Sequence, residues 1–147
     1  MDWQVKHYPN YYGGVKQVYP NVPEEKGKYA RSVVAGNLIF ISGMTGADRE
    51  TNVVTSNVFK EQMLVALDKI RLAMEETGSS MNNVIKTLIL LKRLEDYPTM
   101  RKTELEYYQK HAPLLVEEPP ASTVFQPMSL ARPEYLLEID VIGVLSR

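Results

Sequence analysis

Alternation of apolar and polar residues first becomes regular at Tyr29. Residues 29–35 alternate with the two-residue period of a β-strand, and a continuous apolar run follows at residues 38–41. The Gly36-Asn37 pair between them suits a tight turn, because both residue types tolerate the backbone conformations that two-residue hairpins require. We therefore predict a β-hairpin over these residues, broken by the polar and glycine-rich segment Ser42-Gly43-Met44-Thr45-Gly46.

A helical period replaces the alternation after a polar loop at residues 47–55. Ser56 or Asn57 is expected to cap this helix and Gly78 to end it, since these residue types favour the two helix ends. The apolar face repeats every three or four positions and comprises Phe59, Met63, Ala66, Leu67, Ile70 and Met74.

A strand and a second helix follow. Val84 to Lys92 is predicted to be a strand because it is bounded by polar residues and carries an uninterrupted apolar run. Asp96 is expected to cap a helix that carries Pro98 in its first turn, where proline is tolerated. This helix is expected to end near His111.

Two strands are predicted for the end of the chain. Glu117 to Pro120 reads as a connector, Ser122 to Gln126 as a strand, and Pro127 as the mark of a bulge or sheet edge. The last strand is expected from Tyr135 to about Leu145. The element order is therefore β-β-α-β-α-β-β.

This order predicts a single α+β domain, a mixed β-sheet with two helices on one face. Three strand segments, Leu38–Ile41, Leu88–Leu91 and Ile139–Leu145, are too continuously apolar for a sheet with one face in water. Two helices cover only one face, and the other would be a large exposed apolar patch in a monomer. We therefore expect an obligate homo-oligomer whose clefts are built from residues of two chains.

The first 26 residues follow neither period and are rich in tyrosine, proline and glycine. We interpret residues 1–26 as an irregular arm and residues 27–147 as the folded domain. Because disordered linkers are poor in aromatic residues, the arm is expected to pack on something. Its tyrosines are predicted to pack on the surface, wrap a neighbouring subunit or wall a cleft.

Composition narrows the class of protein. The 147 residues are enough to bury a core without a disulfide or a metal, and none is cysteine. A formal charge of -1 and a pI near 6.1 give no basic footprint for nucleic acid or an anionic membrane. Neither a signal peptide nor a membrane-spanning apolar run is recognisable, so a cytoplasmic protein is predicted.

Familiar catalytic motifs are missing from the sequence. No glycine-rich loop with phosphate-binding spacing precedes a helix, and no nucleophile elbow supports a serine hydrolase. His7 and His111 lack the paired spacing of metal ligands, so no metal site is predicted. His111 instead suits a helix end, where the helix dipole favours a cation. Without cysteine, thiol nucleophiles are excluded as well.

Six short segments nevertheless occur in a distinctive order. They are Gly27–Tyr29, Ala35–Gly43, Gly78–Lys86, Leu94–Tyr97, Pro120–Val124 and Leu137–Ile142. In this order and spacing, the chain closely resembles the RidA (YjgF-like) family of reactive-intermediate deaminases. The resemblance covers about Gly27 to the C-terminus.

The resemblance implies a homotrimer of chorismate-mutase-like subunits with ligand clefts between neighbours. It also implies hydrolysis, without a cofactor, of 2-imino acids and enamines to 2-keto acids and ammonia. By family position, Tyr29 would hydrogen-bond the substrate and Glu138 would hold the water, while Ser42 and Gly43 match the family's Ser-Gly segment. Backbone amides near Gly43 and Thr123 would hold the substrate's acidic group.

Three positions depart from the family pattern. Ala121 stands where the family has its main substrate-anchoring arginine, Met44 replaces the usual glutamine, and Arg101 replaces an asparagine on the second helix. Because the charge-assisted hydrogen bonds of a guanidinium contribute about 1.5–3 kcal/mol each, the loss is expected to weaken binding of small imino acids. Met44 and Ala121 also leave a roomier, less polar cleft, which suits a substrate larger than 2-iminopropanoate.

Two arginines are candidates to replace the missing charge. Arg31 lies two residues after Tyr29 and so shares its face of a strand, and Arg101 lies on the second helix. The alternative is that Arg31 pairs with an acidic neighbour and that Arg101 is solvated. Asp140 likewise shares a face with Glu138, and each is either a general base with a raised pKa or a solvated group at the sheet rim.

Three functions follow from these observations. An enamine or imine deaminase is the leading hypothesis. A non-catalytic small-molecule sensor on the same scaffold is the alternative, because Ala121 removes the principal anchor. RNA cleavage, credited to some members of the family, is disfavoured by the pI and by the lack of a basic patch or a catalytic histidine pair.

Overall fold

A six-stranded sheet and a short two-stranded ribbon contain all the strands of the computed structural model, which describes residues 3–147. In chain order, the elements are β1 (Val5–Pro9), β2 (Tyr11–Tyr12), β3 (Val15–Lys16), β4 (Ala30–Ala35), β5 (Leu38–Thr45), α1 (Phe59–Glu76), β6 (Val84–Leu91), α2 (Tyr97–His111), α3 (Leu114–Glu117), β7 (Ala121–Phe125) and β8 (Leu137–Val144). Short 3-10 turns occur at Pro23–Glu25, Met81–Asn83 and Leu94–Asp96.

The sheet has the spatial order β1-β4-β5-β8-β6-β7, and the ribbon is β2 with β3. All neighbours in the sheet are antiparallel except β6 and β7, which are parallel. A parallel pair needs a crossover connection, and α2 supplies it. The α+β class and the mixed sheet predicted from the sequence are confirmed.

Helices α1 and α2 bury one face of the sheet. Every second side chain of β8 points into this core, as the two-residue period of a strand requires. All six residues of the apolar stripe predicted for the first helix are buried. The core joins Ile39, Ile41, Ile89, Ile139 and Val141 of the sheet to Met63, Leu67, Ile70 and Met74 of α1 and to Met100 and Tyr107 of α2.

The opposite face of the sheet has no helix on it within residues 3–147. Phe40 is 41% exposed, and Leu88 and Ile142 are only partly buried. Together with Val33, these side chains surround an open depression of about 390 Å³. The expectation that two helices cover only one face is confirmed, and an apolar surface remains open in the single chain.

The interpretation of residues 1–26 as an irregular arm is wrong for β1. This strand pairs with β4 from Val5 opposite Ala35 to Pro9 opposite Ala30, and so forms one edge of the main sheet. Four of its five residues are exposed, so the strand has no buried face and its sequence carries no apolar alternation. Met1 and Asp2 of the predicted arm lie outside the described residues.

Two smaller predictions are also corrected. Helix α1 begins after Val58 and not after Ser56 or Asn57; the Ser56 hydroxyl instead accepts a hydrogen bond from the Val58 amide at 3.0 Å. The connector predicted at Glu117–Pro120 overlaps the end of α3, a single helical turn without a readable period. No helix within residues 3–147 is long and apolar enough to cross a membrane.

Candidate functional site

A cavity of about 180 Å³ lies where the β2–β3 ribbon, β5, α1 and β8 meet. We call it the Glu138 cleft. Six of the nine residues predicted from the sequence line it: Tyr29, Arg31, Ser42, Gly43, Met44 and Glu138. Its remaining walls are formed by Asn10, Tyr11, Tyr12, Thr45, Arg49, Lys69, Leu72, Ala73, Glu76, Ala131 and Tyr135.

A β-bulge in β5 shapes this cleft. The predicted break of the strand at Ser42 is wrong, because β5 continues to Thr45 and its register against β8 shifts between Ile41 and Met44. The Ser42 hydroxyl donates a hydrogen bond to the Ala30 carbonyl at 2.7 Å, which fixes the bulge against β4. A bulge re-aims side chains without ending the strand.

Gly43 is required at this bulge by the carboxylate beside it. A Cβ atom added to Gly43 would lie 1.9 Å from Glu138 Oε1, far inside van der Waals contact. The Glu138 carboxyl group therefore rests directly against the backbone of the bulge. The two residues that the family resemblance brings together are in contact.

The pKa of Glu138 is raised, as is common for carboxylates that act as general bases. Burial, and secondarily the charge of Asp140, raises its pKa, while Lys69 partly opposes the shift. Within residues 3–147 its carboxylate forms no hydrogen bond or ion pair, so its lone pairs face the cleft unused. A carboxylate with a raised pKa and an available oxygen is suited to accept a proton from water.

Lys69 of α1 is a cleft residue that the sequence prediction missed. Its Nζ atom donates a hydrogen bond to the Ala47 carbonyl at 2.7 Å. Burial lowers the pKa of this amine to about 8, although the charges of Asp48 and Glu138 oppose the shift. The cleft thus contains an amine and a carboxylate that burial pushes toward their neutral forms.

Tyr29 lies at the mouth of the cleft and is half-exposed. Its hydroxyl is 3.4 Å from the Tyr12 hydroxyl of β2, and burial together with this contact raises the pKa of Tyr29. The Tyr29 hydroxyl is therefore a proton donor throughout the physiological pH range. Of the three roles predicted for the N-terminal tyrosines, walling a cleft is the one adopted by Tyr11 and Tyr12.

Arg31 pairs with an acidic neighbour, which was one of the two alternatives, and its role as a substitute for the missing arginine stays a prediction. It lines the cleft, and its Nη1 atom pairs with Glu76 Oε2 of α1 at 3.0 Å. Its Nη2 atom donates to the Tyr11 carbonyl at 2.9 Å. The guanidinium therefore ties the ribbon to α1, and part of its charge is already neutralised.

Arg101 lies elsewhere, in a second cavity of about 160 Å³ that we call the Arg101 groove. Its guanidinium donates to Glu104 Oε1 at 2.8 Å, the Tyr97 hydroxyl at 3.1 Å and Ser122 Oγ at 3.0 Å. Arg101 is partly exposed, as expected for a solvated residue, but it is also paired with Glu104, and within one chain it does not line the cleft of Glu138.

The other predicted residues of β7 are also distant from Glu138 within one chain. Ala121 and Thr123 are exposed on the edge strand β7, which β6 separates from β8. The Thr123 hydroxyl accepts a hydrogen bond from Lys86 Nζ at 2.7 Å. Asp140 is exposed and borders the open sheet face, and burial raises its pKa. Within residues 3–147, no three acidic or histidine side chains gather as metal ligands would.

Comparison with known proteins places this architecture in a family. A family model described as Endoribonuclease L-PSP matches residues 20–145. A RutC family protein of Pyrococcus horikoshii is 30% identical over 123 residues, which cover 84% of this chain and 91% of that protein. This chain belongs to the RidA (YjgF-like) family. The family match extends further toward the N-terminus than the resemblance read from the sequence, which begins at Gly27.

Two further relatives of this RidA-family chain carry informative names. The 2-iminobutanoate/2-iminopropanoate deaminase of Escherichia coli K12 is 29% identical over 91 residues, covering 62% of this chain and 70% of the enzyme. A member of the YjgF protein family from Neisseria meningitidis has the same fold, with a TM-score of 0.69 at 23% identity. That comparison covers 98% of this chain and 96% of the solved one.

The RidA resemblance does not point to Lys69, but the spacing of buried residues along α1 does. Lys69 follows Ala66 by three positions and precedes Ala73 by four, and both alanines are buried. Glu76 continues the same row by a further three. A lysine between two buried alanines of an amphipathic helix lies at the border of the apolar face, where its amine is partly enclosed.

Proposed function

We propose that this RidA-family protein hydrolyses a small imine or enamine to a carbonyl compound and ammonia in the Glu138 cleft. The observation that carries the proposal is the Glu138 carboxylate, which faces the cleft with a raised pKa and rests on the Gly43 backbone. The name of the Escherichia coli relative, 2-iminobutanoate/2-iminopropanoate deaminase, supports the reaction class.

Glu138 acts as the general base in the proposed reaction. It accepts a proton from water as the water oxygen attacks the imine carbon, and it returns the proton to the nitrogen that leaves as ammonia. Tyr29 donates a hydrogen bond to the substrate, and its raised pKa keeps its hydroxyl protonated. Backbone amides at the bulge, near Gly43, hold the acidic group of the substrate.

The volume of the cleft favours a small substrate. About 180 Å³ is below the roughly 300–1,000 Å³ of sites for drug-sized ligands. Met44 lines the cleft but Ala121 does not, so the two residues do not jointly enlarge one cavity within a chain. Within one chain this volume suits a substrate near the size of 2-iminopropanoate, and the larger enamine needs the roomier cleft that Ala121 of a neighbouring subunit would complete in the proposed trimer.

The proposed assembly is a homotrimer in which copies of this chain cover the open sheet face. The apolar side chains Val33, Phe40, Leu88 and Ile142 need such a cover, and the family resemblance implies this assembly. In the proposed trimer, Ala121 and Thr123 of one subunit approach the Glu138 cleft of the next.

Light scattering tests the assembly. Phe40→Asp is expected to dissociate the trimer, whereas Val53→Asp, at a loop residue that is 55% exposed, is expected to leave it intact. A stable, folded monomer of the wild type at micromolar concentration would contradict the homotrimer.

The deaminase proposal is tested by generating 2-aminoacrylate in solution and following its loss. Wild type is expected to exceed the buffer rate, and Glu138→Ala to reduce kcat/KM by about 100-fold or more, the usual contribution of general base catalysis. Glu117→Ala is the matched control, because Glu117 is an exposed carboxylate of α3 outside the cleft. Its kcat/KM is expected to stay within about threefold of wild type.

Two further outcomes of this assay are decisive. Ala121→Arg is expected to raise kcat/KM, since it restores the family's anchor if the trimer brings β7 to the cleft. A wild type that never exceeds the buffer rate on 2-aminoacrylate or on bulkier enamines would refute the deaminase. Ligand binding without turnover would then favour the non-catalytic sensor. The pairing of Arg31 with Glu76 is compatible with a sensor, because it leaves less positive charge to anchor a substrate.

A further inference from the structure

Lys69 lines the Glu138 cleft and carries a largely buried amine. Its side chain lines the cavity together with Glu138, and its Nζ atom is held by the Ala47 carbonyl at 2.7 Å. Within the described residues it forms no ion pair. A neutral amine still donates one hydrogen to that carbonyl, while its lone pair remains available for attack.

Burial makes the neutral form of the Lys69 amine accessible near neutral pH. With a pKa lowered to about 8, about one amine in ten is unprotonated at pH 7, against roughly one in a few thousand for an ordinary lysine. Desolvated lysines of this kind are the ones that form covalent imines with carbonyl compounds. Lys60, on the same helix, has the opposite environment, since it is exposed and pairs with Glu106 at 3.1 Å.

We propose that Lys69 attacks the carbonyl or imine carbon of the ligand and holds it as a covalent imine in the Glu138 cleft. This inference rests on the proposed function and changes its first step: Lys69 replaces water as the group that attacks the substrate imine, and Glu138 then activates the water that hydrolyses the lysine imine. It also extends that function, since a lysine imine captures aldehydes and ketones as well as imines.

The route balances as two exchanges. The neutral Lys69 Nζ adds to the carbon of the substrate imine, the C–N bond to the original nitrogen breaks, and ammonia leaves with the two protons lost by the Lys69 amine. Water then adds to the lysine imine, the bond to Nζ breaks, and the carbonyl product departs as the amine is regenerated. The sum is imine plus water giving carbonyl compound plus ammonia, without an oxidant or a reductant.

Glu138 provides the proton transfers that both exchanges need. Its raised pKa makes the carboxyl group a better proton acceptor than an ordinary glutamate, and its charge acts on Lys69. Tyr29 is a second proton donor at the same cleft. An amine, a carboxyl group and a phenol around one cavity are a suitable set for forming and hydrolysing an imine.

Reductive trapping tests this inference. Wild-type protein is incubated with pyruvate or 2-oxobutanoate, the ketone products of the imines named for the Escherichia coli relative, and treated with cyanoborohydride. Peptide mass spectrometry is expected to find the reduced adduct at Lys69 at least tenfold above Lys60. Lys69→Arg, which keeps the charge but removes the nucleophile, is expected to lose the adduct, whereas Lys60→Arg keeps it.

The remaining outcomes separate this inference from the proposed function. An adduct spread over the exposed lysines without preference for Lys69 would overturn the inference, and the mapping needs only the wild type. Turnover of 2-aminoacrylate by Lys69→Arg at the wild-type rate would exclude a covalent step in deamination while the deaminase itself stands. A specific Lys69 adduct in a protein without turnover would support carbonyl capture and refute the deaminase.

Discussion

The Glu138 cleft and the Arg101 groove have similar volumes, about 180 and 160 Å³, but their charged groups are arranged in opposite ways. In the groove, Arg101 is matched by the Glu104 carboxylate and by two hydroxyl groups. In the cleft, neither Glu138 nor Lys69 forms an ion pair within residues 3–147, although burial shifts the pKa of each.

Glu138 and Lys69, which form no ion pair within the described residues, indicate that the Glu138 cleft is the cavity suited to chemistry. A partly buried charge without a partner destabilises the fold, and so it is retained mainly where a reaction uses it. A charge that is already paired and hydrogen-bonded holds elements together, as Arg101 holds α2 to β7. Cavity volume alone would not have distinguished the two sites.

The largest expected effect comes from filling the contact between the bulge and Glu138. Gly43→Ala places a Cβ atom 1.9 Å from Glu138 Oε1, so the carboxylate must move, and kcat/KM is expected to fall about 100-fold. Gly27→Ala is the control, because its Cβ atom would find its nearest neighbour at 3.7 Å. Equal losses in both variants, with intact circular dichroism, would show that the Gly43 contact is not special.

Replacing Arg31 or Arg101 with glutamine is expected to affect substrate binding in the cleft and stability at the groove differently. Arg31→Gln is expected to raise the KM of a carboxylate-bearing substrate about tenfold, because the cleft loses a guanidinium charge, and also to destabilise the fold, because the bonds to Glu76 and to the Tyr11 carbonyl are lost. Arg101→Gln is expected to leave KM within about threefold but to destabilise the fold by about 1–2 kcal/mol, because Glu104 stays enclosed without its partner.

Steady-state kinetics and thermal unfolding of both variants measure these effects. A tenfold KM increase in Arg101→Gln would reverse the assignment. It would show that this arginine reaches the cleft of a neighbouring subunit.

The smallest expected effect concerns stability against pH. The folded-state pKa of Glu138 is raised, so the folded protein holds an unfavourable ionised carboxylate at pH 7, and this destabilisation disappears below the unfolded pKa of about 4.3. Glu138→Gln is therefore expected to be more stable than wild type at pH 7, by less than about 1 kcal/mol after solvent screening.

Thermal melts measure this advantage: the melting temperature of Glu138→Gln is expected to exceed that of wild type by at most about 2–4 °C at pH 7 and to equal it at pH 4. Glu117→Gln, at an exposed carboxylate of α3, serves as the control, and its melting temperature is expected to match that of wild type at both pH values. A Glu138→Gln variant that is less stable than wild type at pH 7 would show that the carboxylate is stabilising in the folded state.

The parts of the fold with a buried face were predictable from the sequence. The apolar stripe of α1 and the alternation around Gly36-Asn37 are visible because burial selects apolar residues at the period of each element. β1 was not predictable, because both of its faces are mostly exposed. The continuation of β5 through its bulge was missed because Ser42 and Gly43 resemble a turn.

The candidate site was partly predictable for a related reason. Tyr29 and Arg31 both line the cleft, as strand parity predicted, although Tyr29 lies just before β4 and outside the strand. The pairing of Arg31 with Glu76, 45 positions later, depends on how α1 docks on the sheet, which no local pattern encodes. Lys69 was missed because one lysine in a charged helix segment resembles a solvated residue until the positions of its buried neighbours are considered.

The two edges of the sheet have a consequence for aggregation. An edge strand offers unpaired backbone groups to other chains, and proline or short length discourages such pairing. β1 has five residues and ends on Pro9, while β7 follows Pro119-Pro120 and is itself followed by Pro127. Growth of the sheet by strand addition is thus disfavoured at both edges, so copies of this chain in the proposed trimer would meet through the open apolar face.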